Sequence, residues 1–191
     1  MSTDLRNKLR AQRQSLSPRE RSEKSLAIAQ NLARYLPFRR ARDVAFYVAT
    51  TEEVETSDAI SLSIEMEKNL FLPVINRASW RAPPLLFQPY IPGESRMIKN
   101  RYGIPEPEHR AGTAKQARAL DLIAVPLVGF NRHCDRIGMG AGYYDRALAV
   151  TGYRRTHYVG LAFACQEADF EPADHDIPMH AVITEKGVIQ P

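Results

Sequence analysis

Residues 121–148 read DLIAVPLVGFNRHCDRIGMGAGYYDRAL, an order of strand, glycine loop and helix that few folds accommodate. Residues 122–128 form an apolar run of the length and β-branched content expected of a buried strand, and a turn-rich polar segment follows. Gly138, Gly140 and Gly142 are then spaced by single residues, and residues 143–148 read as the start of a helix. Glycines let backbone N–H groups turn toward one point with no Cβ in the way, and a helix N-terminus adds partial positive charge there. The pattern therefore suits a phosphate cradle, with Arg136 adding a full charge just before it. A tight structural turn has the same spacing, and the spacing alone leaves both open. Two familiar nucleotide motifs are excluded. The third glycine comes one residue too early for G-x-G-x-x-G, and no G-K-[ST] ends the loop.

Upstream, residues 4–15 are charged and helix-favouring, with Leu5, Leu9 and Leu16 as a thin apolar stripe. Ser17, Pro18 and Glu20 predict an N-cap, a first-turn proline and a capping-box acid, so a second helix runs to about Leu36 and Pro37 ends it. Residues 44–48 and 70–75 read as strands on either side of a helix over 59–68, a β-α-β pattern that favours parallel pairing. The carboxylates Glu52, Glu53 and Glu55 crowd the intervening loop, and a helix N-terminus near Ser57 is the simplest partner for them. Residues 76–84, which include Trp80, form a loop; residues 85–90 suit a strand at a sheet edge because prolines surround them. Tyr102 could stack on a flat ring, with a partly buried structural tyrosine as the default reading. Residues 108–120 are polar, and further strands fall near 158–164 and 181–184. The fold expected is α/β: a single domain over 1–191, a mostly parallel sheet flanked by helices in three layers, Rossmann-like, with helices of 4–36 packing on the sheet. Its ligand cleft lies at the carboxyl ends of the strands near Gly138.

With 191 residues, 44% of them hydrophobic, the chain can bury a sizeable core. Its 26 basic and 22 acidic residues leave a formal charge of +4, mild for a dedicated nucleic-acid binder. A solvated helix face accounts for most of the run Arg6, Arg10, Arg13, Arg19 and Arg21. Cys134 and Cys165 lack metal or disulfide-framework spacing, and no run of 18 apolar residues occurs, so a cytoplasmic, non-membrane protein is expected.

The segment 126–146 resembles the signature of 5-formyltetrahydrofolate cyclo-ligases, P-x-x-x-F-D-x-x-G-x-R-[IL]-G-x-G-x-G-[YF]-Y-D-R. Pro126, Phe130, Arg136, Ile137, Gly138, Gly140, Gly142, Tyr143, Tyr144, Asp145 and Arg146 stand in register. Asn131 replaces the usual Asp, Cys134 the usual Gly, and Ala141 the Lys or Gly of many members. The likeness continues through Leu5, Arg6, Leu9 and Ser17, through an E-x-E-T element at Glu53, through a Y-G-I-x-E-P element at Tyr102, and through a D-I-P element at Asp176. It implies ATP-dependent conversion of 5-formyltetrahydrofolate to 5,10-methenyltetrahydrofolate, by a monomer that binds neither nucleic acid nor membrane. It also implies ATP contacts at Arg6, Arg136, Ile137, Gly138, Met139, Gly140, Ala141, Gly142, Tyr143 and Tyr144. Folate contacts fall on Val48, Glu53, Met139, Gly140 and Tyr143, and Mg2+ ligation on Asp145 and Asp176, with Arg136 and Asp145 as the catalytic pair. A lysine of the family falls on Ser2. The alternative is a homologue that binds nucleotide or folate without turnover; a basic RNA- or DNA-binding module is disfavoured, because few aromatic residues interleave the basic ones.

Overall fold

The computed structural model describes residues 3–76, 83–110, 112–149, 156–172 and 177–191. A seven-stranded sheet runs through it: β1 (Asp43–Ala45), β2 (Asn69–Ile75), β3 (Leu85–Pro89), β6 (Leu122–Pro126), β9 (His157–Leu161), β10 (Ala181–Thr184) and β11 (Gly187–Ile189). Two small hairpins stand apart from it, β4 (Met97–Lys99) with β5 (Pro105–Pro107), and β7 (Gly129–Phe130) with β8 (Arg136–Ile137). The sheet order is β11-β10-β9-β6-β1-β2-β3. The five strands from β10 to β2 pair in parallel, and β11 and β3 close the two edges antiparallel. The proline-flanked strand is thus at an edge, as its composition predicts.

Both faces of the sheet are buried, as parallel pairing requires. In β6, Leu122 and Ala124 join Val44, Leu70, Val159 and Ile183 in one core, while Ile123 and Val125 join Ala45, Phe71 and Val182 in the other. The first core also takes Ile28 and Leu32 of α2 (Pro18–Arg34), Phe38 of α3 (Leu36–Arg40) and Ala59 of α4 (Ser57–Glu65). The second is covered by Leu148 of α5 (Tyr143–Leu148) and by Phe87, Leu120 and Phe130.

The capping box at α2 forms as predicted: the Ser17 hydroxyl accepts from Glu20 N at 3.2 Å, and the Glu20 carboxylate accepts from Ser17 N at 2.9 Å. The far end differs. The helix stops at Arg34, Tyr35 is extended, and Pro37 sits in the first turn of α3, where its missing N–H costs no intrahelical bond. Among the described helices none is long and apolar enough to cross a membrane. Trp80 and the loop residues 77–82 lie outside the described residues, as do Ser2, His175 and Asp176.

Candidate active site

β1 and β6 are neighbours in the sheet, yet from β1 the chain passes to β2 on one side and returns as β6 on the other. Such a switch in strand order opens a crevice at the carboxyl ends of the two strands, where ligands of open α/β sheets bind. The two loops that the sequence marks as functional leave from these two ends. After β1 come Val48 and the acidic loop; after β6 come the β7–β8 hairpin and the glycine loop.

The helix α1 (Thr3–Gln14) ties the two loops together. Arg6, Leu9 and Arg13 are spaced i, i+3, i+7 and share one face. Leu9 is buried against Val128 and Ile137 at the root of the hairpin. One turn earlier, Arg6 Nε donates to Gly138 O at 3.1 Å, and its guanidinium carbon lies 3.9 Å from the point where a Cβ on Gly140 would stand. One turn later, Arg13 donates through Nη2 to Glu52 at 3.0 Å and through Nη1 to Leu127 O at 3.3 Å. Arg13 is only 2% exposed, so it does not belong to the solvated helix face that the arginine run suggests. Its i+4 spacing from Leu9 is the signal in the sequence that places it inward.

The acidic loop therefore finds its cations on α1 and not at a helix N-terminus. Glu52 takes Arg13, Gln14 and, at 3.8 Å, Arg10. The Gln14 amide and then Arg13 hold its carboxyl below the usual value, against the opposing effect of burial. Glu53 closes a turn instead, accepting from Thr50 N at 2.8 Å and Thr50 Oγ1 at 3.0 Å. The N-cap of α4, Thr56, makes no side-chain cap bond; its hydroxyl donates to Tyr47 O at 3.0 Å.

Within the glycine loop Gly140 (φ 96°) and Gly142 (φ 63°) occupy the left-handed region, which glycine adopts without steric cost. Three guanidinium groups surround the loop. Besides Arg6, Arg146 donates to Ala141 O at 3.1 Å, and an Arg136 nitrogen would stand 3.0 Å from a Cβ on Gly138. Arg136 is 3% exposed, ion-paired with Asp145, and its Nε has no protein partner among the described residues. A buried cation with an unused donor beside a ring of glycines suits an anionic ligand. Burial pushes the Tyr144 phenol upward, the negative charge of Glu53 adds to the rise, and Arg136 opposes it. Burial likewise pushes the Tyr47 phenol upward, and the negative charge of Glu53 adds to that rise. The acidic loop is thus electrostatically adjacent to the glycine loop.

Of the motif departures, Asn131 has a structural explanation, whereas Cys134 occupies a backbone conformation that suits the usual glycine better. Cys134 is buried with φ 61°, the left-handed conformation for which glycine is the default. Asn131 closes the hairpin turn: its Oδ1 accepts from His133 N and Asp135 N, both at 3.0 Å. Its Nδ2 donates to Asp135 at 2.9 Å and to Phe170 O at 3.1 Å, bonds that a carboxylate could not give.

The sequence profile of the 5-formyltetrahydrofolate cyclo-ligase family matches residues 1–185. The chain belongs to that family. The 5-formyltetrahydrofolate cyclo-ligase of Escherichia coli K12 is 33% identical over 181 residues, covering 94% of this chain and 98% of that one. That of Haemophilus influenzae is 29% identical over 180 residues, covering 94% and 95%. The solution structure of 5,10-methenyltetrahydrofolate synthetase from Aquifex aeolicus superposes with a TM-score of 0.79 at 30% identity, covering 98% of this chain and 91% of that one.

Against the residues that the family resemblance implies, the fold brings together Arg6, Arg136, Gly138 to Tyr144 and Asp145, with Glu53 across the crevice. Val48 packs on the first core beside it. Among the described residues no cluster of three or more His, Cys, Asp or Glu side chains forms a metal cage. A single carboxylate, Asp145, beside the glycine loop is compatible with magnesium, which uses one or two protein carboxylates and leaves other positions to water and phosphate. Sequence reasoning missed the burial of Arg13, the strand β4, and the contact of Arg101 with Tyr143. Tyr102 is 56% exposed, not the partly buried tyrosine that its neighbours suggest.

Proposed function

We propose that this chain converts 5-formyltetrahydrofolate to 5,10-methenyltetrahydrofolate at the expense of ATP, releasing ADP and phosphate. The observation that carries the proposal is the meeting of Arg6 and Arg136 on the Gly138–Gly142 loop at the switch in strand order, where the loop that bears Glu53 also leaves the sheet.

The chemistry asks for a nucleotide site and a folate site side by side. The formyl oxygen is a poor leaving group, so it first accepts the terminal phosphoryl group of ATP; N10 then attacks the formyl carbon, and phosphate departs with that oxygen. Phosphoryl transfer needs mainly alignment and neutralisation of charge. Arg6 and Arg136 supply positive charge, and residues 137–144 supply backbone N–H groups. A carboxylate can accept two parallel hydrogen bonds from the aminopyrimidinone edge of the pterin, the part assigned to Glu53, with Val48, Met139, Gly140 and Tyr143 around the ring. Asp145 and Asp176 would hold magnesium, which neutralises phosphate charge when bound. No side-chain nucleophile is needed. Asn131 serves the hairpin turn and Cys134 lies in the same turn, and neither is among the residues assigned to ATP or folate. The two free cysteines suit a reducing, cytoplasmic setting.

Purified protein given ATP, magnesium and 5-formyltetrahydrofolate should develop methenyl absorbance with one ADP released per product. Retained binding of both compounds with no absorbance change overturns the proposal.

A further inference from the structure

Beside the glycine loop, Arg101, Tyr102 and Arg146, three side chains to which the chemistry above gives no part, gather on Tyr143. The turn 100–104 between β4 and β5 is fixed by Asn100, whose Oδ1 accepts from Tyr102 N at 2.9 Å and Ile104 N at 3.2 Å. Asn100 also donates to Glu106 at 3.3 Å, and Glu106 accepts from Ile75 N at 3.2 Å. The turn is thereby held at the carboxyl end of β2, on the same side of the sheet as the crevice.

From this turn Tyr102 meets Tyr143 of α5 edge-to-face, with ring centroids 6.0 Å apart and hydroxyls 3.1 Å apart. Arg101 donates to the Tyr143 hydroxyl, and its guanidinium carbon lies 5.0 Å from the Tyr102 ring and 5.7 Å from the Tyr143 ring. Arg146 stands 5.6 Å from the same Tyr143 ring. Two guanidinium groups thus share one tyrosine at the surface. Neither enters an ion pair with a carboxylate among the described residues, since the acids near them are engaged: Asp145 by Arg136, and Glu106 within the hairpin. Like charges gathered without a counter-charge repel, and exposed cation–π contact returns only a little of that. An arriving anion would neutralise both.

We propose that Arg101 and Arg146, held on the rings of Tyr102 and Tyr143, bind the aminobenzoyl-glutamate end of the folate and set its preference for glutamate chain length. The assignment rests on the function proposed above. Tyr143 stands at the edge of the glycine loop, so a substrate with one end reacting at that loop extends its other end past this side chain. That end consists of an aromatic ring followed by carboxylates, for which exposed Tyr102 and half-buried Tyr143 beside two exposed arginines are the matching surface.

The test uses the full chain with Arg101→Gln and Arg146→Gln, singly and together; both arginines are exposed, and melting curves check folding. Substrates are 5-formyltetrahydrofolate with one and with five glutamates, and 5-formyltetrahydropteroate, which has none. For the pentaglutamate the double variant should raise KM by about tenfold, the loss corresponding to roughly one well-made charged contact, and added salt should shrink the difference. In Arg101→Gln, which leaves the glycine loop's own contacts intact, KM for ATP and KM for the pteroate should match wild type. Binding of aminobenzoyl-pentaglutamate alone, followed by calorimetry, should weaken in parallel. If wild type binds this fragment and the variants do not, but no methenyl product forms, the function proposal falls and this assignment stands. If turnover proceeds and both KM for the pentaglutamate and fragment binding are unchanged in the double variant, the assignment is overturned.

Discussion

Replacing Arg13 with Met tests whether α1 holds the acidic loop in place. The new side chain is apolar and of similar length, so packing around Leu9 is largely kept. The lost interaction is a charged hydrogen bond from a side chain 2% exposed to Glu52, whose side chain is 26% exposed. Such bonds contribute about 1.5–3 kcal/mol, and the partial exposure of Glu52 argues for the lower half. Two features limit the damage. Gln166 Nε2 also donates to Leu127 O, at 3.0 Å, so that carbonyl stays satisfied, and the substitution removes the unpaired Arg13 Nε. The expected loss is about 2 kcal/mol, or roughly 4–8 °C in Tm for a chain of this size. A double-mutant cycle with Glu52→Gln should return a coupling of about 1–2 kcal/mol. The pH dependence has a definite sign. Glu52 titrates below its ordinary 4.5 in the folded protein, so its contribution is present above that pH and is lost as pH falls through the lowered value. The difference in Tm between wild type and variant should therefore be full at pH 6 and shrink toward pH 3. Because Glu53 is the next residue, KM for folate should rise several-fold while KM for ATP holds. A variant with wild-type Tm at pH 6, and no coupling to Glu52, would refute the link between α1 and the acidic loop.

Gly140→Val places a β-branched residue at φ 96° with its Cβ 3.9 Å from the Arg6 guanidinium, so nucleotide affinity measured by calorimetry should fall more than tenfold; wild-type affinity would remove the loop from the ATP site. Asp145→Ala should abolish most turnover and, because it strands the buried charge of Arg136, cost about 3 kcal/mol in urea unfolding. Unchanged stability there would mean that the ion pair contributes nothing to the fold. Gly160→Ala would put a Cβ 2.5 Å from Leu127 Cδ2 and 3.3 Å from Val182 Cγ2, overpacking the sheet by about 2 kcal/mol, to be read as a Tm lower by roughly 4–8 °C.

What the sequence disclosed, and what it did not, divides along the range of the interactions. The α2 capping box, the proline-flanked edge strand and the apolar run of β6 are written in neighbouring residues, and all three appear where the residues place them. The glycine loop is local too, but the partners that make it a site are distant in sequence. Arg6 reaches Gly138 only because Leu9 is buried against Ile137, and Glu53 acts on Tyr144 only because β1 and β6 are adjacent. Arg13 shows the same limit: among five arginines of similar appearance, the register with Leu9 marks the fully buried one, while Arg6, Arg10 and Arg21 are half-buried and Arg19 is exposed. The sequence placed the acidic loop's counter-charge on the nearest helix because proximity along the chain is all that it displays. The fold offered cations from α1 instead, since one face carrying Arg6, Leu9 and Arg13 spans both loops leaving the crevice. One segment thereby holds both the glycine loop, through Arg6, and the loop that bears Glu53, through Arg13.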